Sequence, residues 1–275
     1  MTRVKDIYNW IDEYAPFRYA QSWDQCGLQA GDPEAAVERV LVALDPSSET
    51  IREARERRCE CLVTHHPLIF RPLKALRTDE FPGNLVIEAL LRGVHVIAAH
   101  TNLDVARDGT NDRLSRLLDL EQVEPLETDD IWSREERYGG MGRTGTLPKA
   151  MTVSELAALS KRVLGVDGLR TVGGVDRPVH RVAICTGSGG SLVDAAISSG
   201  VDVYITGDVK YHEALRALEA GLALIDVGHF GSERVIVEPL VSYLKRRADQ
   251  ERASLEISAA ECERDPFLLY GQRIE

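Results

Sequence analysis

The chain has 275 residues, 44% of them hydrophobic and 28% charged, enough to bury the core of one large α/β domain or of two lobes. Lys and Arg number 33 against 44 Asp and Glu, a net charge of −11. That balance argues against general affinity for DNA, RNA or an anionic membrane, each of which needs a positive surface. The dispersed Cys26, Cys59, Cys61, Cys185 and Cys262 match neither a disulfide framework nor paired zinc spacing, and read as reduced thiols. The N-terminal segment carries charges throughout, without an apolar leader core. No stretch approaches the ~20 apolar residues of a membrane helix, so a cytoplasmic protein is expected.

Val4, Ile7, Trp10, Ile11 and Tyr14 recur at helical spacing until Pro16 stops them. Residues 40–44 read as a buried strand, 48–58 as a helix and 61–64 as a second strand ending in His65-His66-Pro67. A helix over 84–92 and a strand over 94–100 follow. This alternation predicts a sheet covered by helices. Residues 124–140 are polar, acidic and aperiodic, and are assigned as a linker. Beyond it come a strand at 142–147, a helix over 153–165 behind a capping signal, a strand at 181–186 and a helix over 191–200. A strand at 201–208, a helix over 211–221, a strand at 222–228 and a last helix from about 231 to 247 complete the pattern. Pro239 should kink that helix or mark its first turns. Residues 265–270 (DPFLLY) are expected to add an edge strand.

Residues 40–66 and 182–208 share one order of strand, turn, helix and strand. The expected architecture is therefore α/β, with two similar lobes facing a cleft. The expected boundaries are a first lobe over 1–123, the linker 124–140, a second lobe over 141–248, and a tail 249–275 packing back, with no inserted regulatory domain.

Four strand-to-helix turns carry imidazoles or carboxylates: His65/His66, His100/Asp104, Asp208/His212 and His229/Glu233. The C-terminal ends of strands are where open α/β sheets place ligands. Both His65 and His66 can face one pocket because the chain turns there. His229 and Glu233, four apart, share a helix face. Mixed imidazole and carboxylate donors suit Zn, Fe, Mn, Ni or Co, and their number suffices for a two-metal site of the kind common in hydrolases. His95, mid-strand, and His180, in a turn, read as structural and surface residues. The Gly-rich CTGSGGS (185–191) lacks a P-loop lysine but is suited to cradle a phosphate beside a metal. Trp23 reads as a core anchor.

Taken together, SWDQCGLQAG, LVTHHPLIFRPLKAL, AAHTNLD, GRTGTL, CTGSGGS, VYITGDVKYHEAL and DVGHFGSE resemble the Nif-three-like dinuclear-metal family, often called GTP cyclohydrolase type-two homologues. The motifs run in the family's order over about residues 20–247. The resemblance implies two α/β lobes, a pair of metal ions in the cleft and a homohexameric ring. By matching motif it implies His65, His66, Asp104, His229 and Glu233 as metal ligands. It places His100, Asp208 and His212 along the cleft as catalytic or ligand-supporting residues. Two divalent ions per chain and a nucleotide or phosphorylated substrate are the expected partners. The expected function is a metal-dependent hydrolase resembling a GTP cyclohydrolase; the alternative is a non-catalytic metal-binding scaffold, metal chaperone or regulatory partner protein. An anionic substrate needs local cations, for which Arg71, Lys74, Arg143 and Lys210 are candidates by proximity to the motifs.

Overall fold

The computed structural model describes residues 1–128 and 139–268. In chain order the elements are α1 (Val4–Tyr14), β1 (Gly27–Ala30), β2 (Arg39–Ala43), α2 (Ser48–Glu56), β3 (Cys61–Thr64), α3 (Gly83–Leu91), β4 (His95–Ala98) and α4 (Thr101–Val105). Next come α5 (Thr110–Leu117), β5 (Glu121–Glu127), β6 (Met141–Thr152), α6 (Val153–Leu164), β7 (Arg170–Val172), β8 (Pro178–Ser188) and α7 (Val193–Ser198). The chain continues through β9 (Val203–Gly207), α8 (Tyr211–Glu219), β10 (Ala223–Asp226), α9 (His229–Arg234), α10 (Val237–Gln250) and β11 (Glu256–Ala259).

The fold is mixed α/β and forms two units, each a sheet with its helices. The first comprises Met1–Ala106 and Ile236–Arg264; the second comprises Arg107–Val235, joined by the tail from Asp265. The expected boundaries at 123 and 248 therefore move. Helix α5 belongs to the second unit, where it supplies Leu114 to the hydrophobic core. Helix α10 returns to the first, where the Tyr243 hydroxyl donates to the Trp10 carbonyl at 2.7 Å and Tyr14 stacks on Tyr243. Strand β5 takes Glu124–Glu127 out of the expected linker; residues 129–138 lie outside the described part.

The first unit holds a five-stranded sheet in the order β1-β4-β3-β2-β11, all parallel except β1. The central strands read as unbroken apolar runs because helices bury both faces. Helix α1 buries Val4, Ile7, Trp10 and Ile11 on one stripe, and the Ser47 hydroxyl accepts the Thr50 N–H to start α2. Pro239 sits in the first turn of α10, where no intrahelical N–H is required of it. The edge strand is β11 rather than DPFLLY, in which Phe267 and Leu268 are exposed and Leu269 and Tyr270 lie outside the described residues. Two carboxylates fasten the tail. Glu53 accepts the N–H groups of Glu261 and Cys262, and Glu263 accepts those of Leu44 and Asp45.

The second unit holds a six-stranded sheet in the order β5-β6-β8-β9-β10-β7, parallel only across β8-β9-β10. Helix α6 opens on a reciprocal cap, with Thr152 Oγ1 accepting the Glu155 N–H while Glu155 accepts the Thr152 N–H. The repeat seen in the sequence is present as structure. In both units three consecutive parallel strands are linked by helices, and the third strand leads into a short helix bearing a carboxylate.

Candidate metal centre

In the first unit the donors gather where β3 and β4 end. Thr64 Oγ1 donates to the His66 carbonyl at 2.7 Å, and the His66 N–H donates to the Leu44 carbonyl at 2.9 Å, so the chain turns sharply past the strand. Successive side chains then no longer point to opposite faces. The rings of His65, His66 and His100 lie 5.1–5.6 Å apart, and one ligand nitrogen from each lies within 4.8 Å of the others. Asp104, buried on α4, places Oδ1 3.6 Å from His65 Nε2.

Each of these imidazoles is held at Nδ1 by an oxygen. His65 Nδ1 is 2.8 Å from the Ala99 carbonyl, His66 Nδ1 is 2.7 Å from Asp45 Oδ1, and His100 Nδ1 is 3.0 Å from Asp24 Oδ1. A carbonyl or ionised carboxylate only accepts, so the proton sits on Nδ1 and the neutral ring keeps its lone pair on Nε2. That is the anchoring found on metal-ligating histidines. His95 is the contrast: its Nδ1 accepts the Asp32 N–H at 3.1 Å, and burial lowers its pKa, so it stays neutral and structural.

Asp24 and Asp45 hold two of these imidazoles, a role that sequence reasoning did not assign them. Asp24 lies within the SWDQCG turn, and Asp45 follows β2 at the sheet level of His66, since Ala43 pairs with Thr64. The Asp24 side chain is fully buried and also accepts from the Thr101 N–H at 3.0 Å and from Thr101 Oγ1 at 2.5 Å. One carboxylate thus ties the 21–26 turn to the start of α4 and orients His100. Burial pushes its carboxyl upward, but the hydrogen bonds from His100 and Thr101 outweigh this and hold it below the usual range. Burial and neighbouring Asp24 push the Cys26 thiol up to about 12, so it is protonated at neutral pH.

The second unit carries a matching pair. His229, at the start of α9, has Nδ1 2.7 Å from Asp208 Oδ2 and Nε2 3.0 Å from Glu233 Oε2. Ligands about 2.1 Å from one ion lie roughly 3.0–3.4 Å apart, so this Nε2–carboxylate pair has chelating spacing, and the His65–Asp104 pair is within a few tenths of an ångström of it. Glu233 is buried, packed against Gly187 in the Gly-rich turn. Gly187 has φ +66°, and a Cβ there would be built into Glu233 Oε1.

This turn does not cradle a phosphate. The Gly187 N–H donates to Ser232 Oγ at 2.9 Å and the Gly189 N–H to Thr206 Oγ1 at 3.0 Å, so those donors are already used. The Glu213 carboxylate lies against Gly190, which would repel an anion. Gly187 instead lets Glu233 approach the backbone.

Asp208 orients His229, whereas His212 is exposed on α8 with its ring edge-on to Tyr211. Asp208 precedes that helix, so the four-residue spacing does not put the two on one helical face. Among the described residues no hydrogen bond joins them. Arg143 is not a substrate cation: it is fully buried, ion-paired with Asp112, and donates to the carbonyls of Gly140 and Gly142. Arg71, Lys74 and Lys210 are exposed. Trp23, read as a core anchor, is 54% exposed. Metal ions themselves form no part of the structure; the donor chemistry, anchored imidazoles with buried carboxylates, fits divalent cations of the Zn, Fe, Mn, Ni or Co type.

The chain is 34% identical over 265 residues to a protein of Clostridium perfringens named GTP cyclohydrolase 1 type 2 homolog, covering 96% of this chain and 98% of that one. It is 34% identical to a Streptomyces coelicolor protein of the same name, covering 97% and 94%. A solved structure, a Bacillus cereus protein related to NIF3, superposes with a TM-score of 0.91 at 26% identity, covering 98% of this chain and 99% of that one. The model of the Duf34/NIF3 (NGG1p interacting factor 3) family matches residues 2–266, and the chain belongs to that family.

Proposed function

We propose that the protein is a dinuclear metal-dependent hydrolase acting on a nucleotide or another phosphorylated substrate. In this reading His65, His66, Asp104, His229 and Glu233 hold two divalent cations. The observation that carries it is the anchoring of His65, His66, His100 and His229 at Nδ1, which leaves Nε2 as the donor atom in each. When bound, two such cations supply Lewis-acid charge and acidify water.

The chain's own groups complete the chemistry. Asp104 and Glu233, both buried carboxylates, would help to hold the cations and offset their charge. Asp45, the Ala99 carbonyl and Asp208 orient the ligand imidazoles. His100, backed by buried Asp24, carries a proton between water and substrate as general base and acid. Asp208 acts through His229, and His212, at the protein surface, shuttles the proton onward. A homohexameric ring, implied by the resemblance, belongs to the same proposal; a monomer mass by light scattering at micromolar concentration refutes that part.

The test couples metal content to turnover. Protein purified without tags or chelators is expected to hold about two divalent ions per chain by elemental analysis. It should hydrolyse at least one member of a nucleotide panel, and His66→Ala should lose both metal and turnover. Equal turnover in wild type and His66→Ala refutes the assignment. Two metals with no turnover across the panel refutes the hydrolase and leaves a metal-binding scaffold.

A further inference from the structure

Beside the first unit's histidines lie two large aromatic side chains that the chemistry above does not use. Trp23 is 54% exposed and Phe70 is 48% exposed, although the residue beside each is tied by hydrogen bonds. Trp23 directly precedes Asp24, which is tied by hydrogen bonds to His100 and Thr101. Phe70 directly follows Ile69, whose N–H donates to Gln29 Oε1 at 3.0 Å. The indole and phenyl centroids are 5.8 Å apart with the planes inclined at 57°. Each ring also meets His100 edge-on, Trp23 at 6.1 Å and Phe70 at 6.3 Å. Three aromatic rings therefore form one group in which two keep much of their surface in water. His100 links that group to the anchored donors.

Contiguous exposed apolar surface beside a polar site marks a place where a ligand binds. A planar ring is the complement of an open aromatic pair, because stacking tolerates any π-face and needs no hydrogen-bond code. We propose that Trp23 and Phe70 form a stacking platform for the heteroaromatic base of a nucleotide. This rests on the reading of the neighbouring histidines as a metal centre, and it narrows that site's substrate class from phosphorylated compounds in general to those carrying a planar base.

The experiment measures binding, so it does not depend on turnover. Guanosine 5′-monophosphate and ribose 5-phosphate are titrated into metal-loaded wild type, Trp23→Ala and Phe70→Ala, by calorimetry and by tryptophan fluorescence. Elemental analysis and light scattering are run on each variant. Guanosine monophosphate is expected to quench wild-type fluorescence and to bind about ten-fold or more tighter than ribose 5-phosphate. Trp23→Ala should lose both the quench and that preference while keeping its metal content, and Phe70→Ala should lose part of the preference. Equal affinity for the two phosphates in wild type, or unchanged guanosine monophosphate affinity in Trp23→Ala, overturns the platform. A change of oligomeric mass in Trp23→Ala with unchanged affinity also overturns it, and assigns the rings to an interface between copies. A base-selective, Trp23-dependent complex that is never hydrolysed refutes the hydrolase and leaves the platform standing.

Discussion

Alanine at Gly187 separates crowding of a proposed ligand from simple backbone strain. Gly187 has φ +66° and Gly165, at the end of α6, has φ +65°. The left-handed region costs an L-residue about 1–2 kcal/mol, so both substitutions carry that penalty. They differ in what the new methyl meets. At Gly165 nothing lies within 4 Å, whereas at Gly187 it is built into Glu233 Oε1, with Glu233 Cδ at 2.9 Å and His229 Nε2 at 3.4 Å. Carbon atoms in contact sit about 3.5–4.0 Å apart, so the carboxylate must retreat by roughly 1 Å. Metal–ligand distances tolerate only about 0.2 Å, and Glu233 would cease to be a ligand. Losing even a group that supports a ligand costs about 10–100-fold in metal affinity, and Gly187→Ala should lose at least that much. The assay is calorimetric titration of Mn²⁺ or Zn²⁺ into chelator-stripped wild type, Gly187→Ala and Gly165→Ala. Thermal unfolding of the metal-free proteins runs alongside, since bound metal adds its own stabilisation. Metal-free Gly165→Ala should fall by roughly 2–8 °C and bind metal as wild type does. Gly187→Ala binding metal as tightly as Gly165→Ala refutes the placement of Glu233 as a ligand.

Asp112→Ala removes the carboxylate paired with the fully buried Arg143 guanidinium and should cost about 3–5 kcal/mol in urea unfolding; a loss below about 1 kcal/mol would show that the pair does not hold this unit together. Asp45→Ala removes the anchor of His66 Nδ1 and should weaken Zn²⁺ binding about 10–100-fold with little change in metal-free stability, so unaltered affinity contradicts the anchoring role. Glu53 is ionised more readily in the fold than in the unfolded chain: burial raises its carboxyl, but hydrogen bonds from Cys262 and Glu261 and the charge of Arg57 outweigh this. Its contribution is therefore complete above the ordinary carboxylate pKa of about 4.3 and disappears as pH falls through the lower folded value. Glu53→Gln should cost about 1–2 kcal/mol at pH 7, and the gap to wild type should narrow as acid protonates the carboxyl; a gap that stays constant with falling pH contradicts the linkage. Stripping bound metal with chelator should lower the melting temperature, and re-adding the ion should restore it; no shift in either direction argues against a site specific to the folded state.

Much of the fold was legible because its signals are local. The stripe Val4–Ile7–Trp10–Ile11, the apolar runs of β2 and β3, and the Thr152–Glu155 cap all follow from periodicity and short-range hydrogen bonding, and each formed where expected. The His-His turn was readable for the same reason: a strand end followed by Pro67 turns in place. The edge strand was misassigned because residues 256–259 become a strand only by pairing with β2, more than 200 residues earlier, while DPFLLY is more apolar but finds no such partner among the described residues.

Residue types and their positions at strand ends were sufficient to nominate imidazoles and carboxylates as a metal-binding set. Only the tertiary structure decided which groups support them. Asp24 reaches His100 across 76 positions and Asp45 reaches His66 across 21, contacts that no local spacing encodes. It also decided that Arg143 is a buried structural cation, that Gly187 of CTGSGGS makes room for Glu233, and that Trp23 faces solvent. The physical reason is common to all of these. Backbone conformation and hydrophobic period act over a few residues, but burial, ion pairing and the supply of free N–H groups depend on which distant segments the packed sheet brings together.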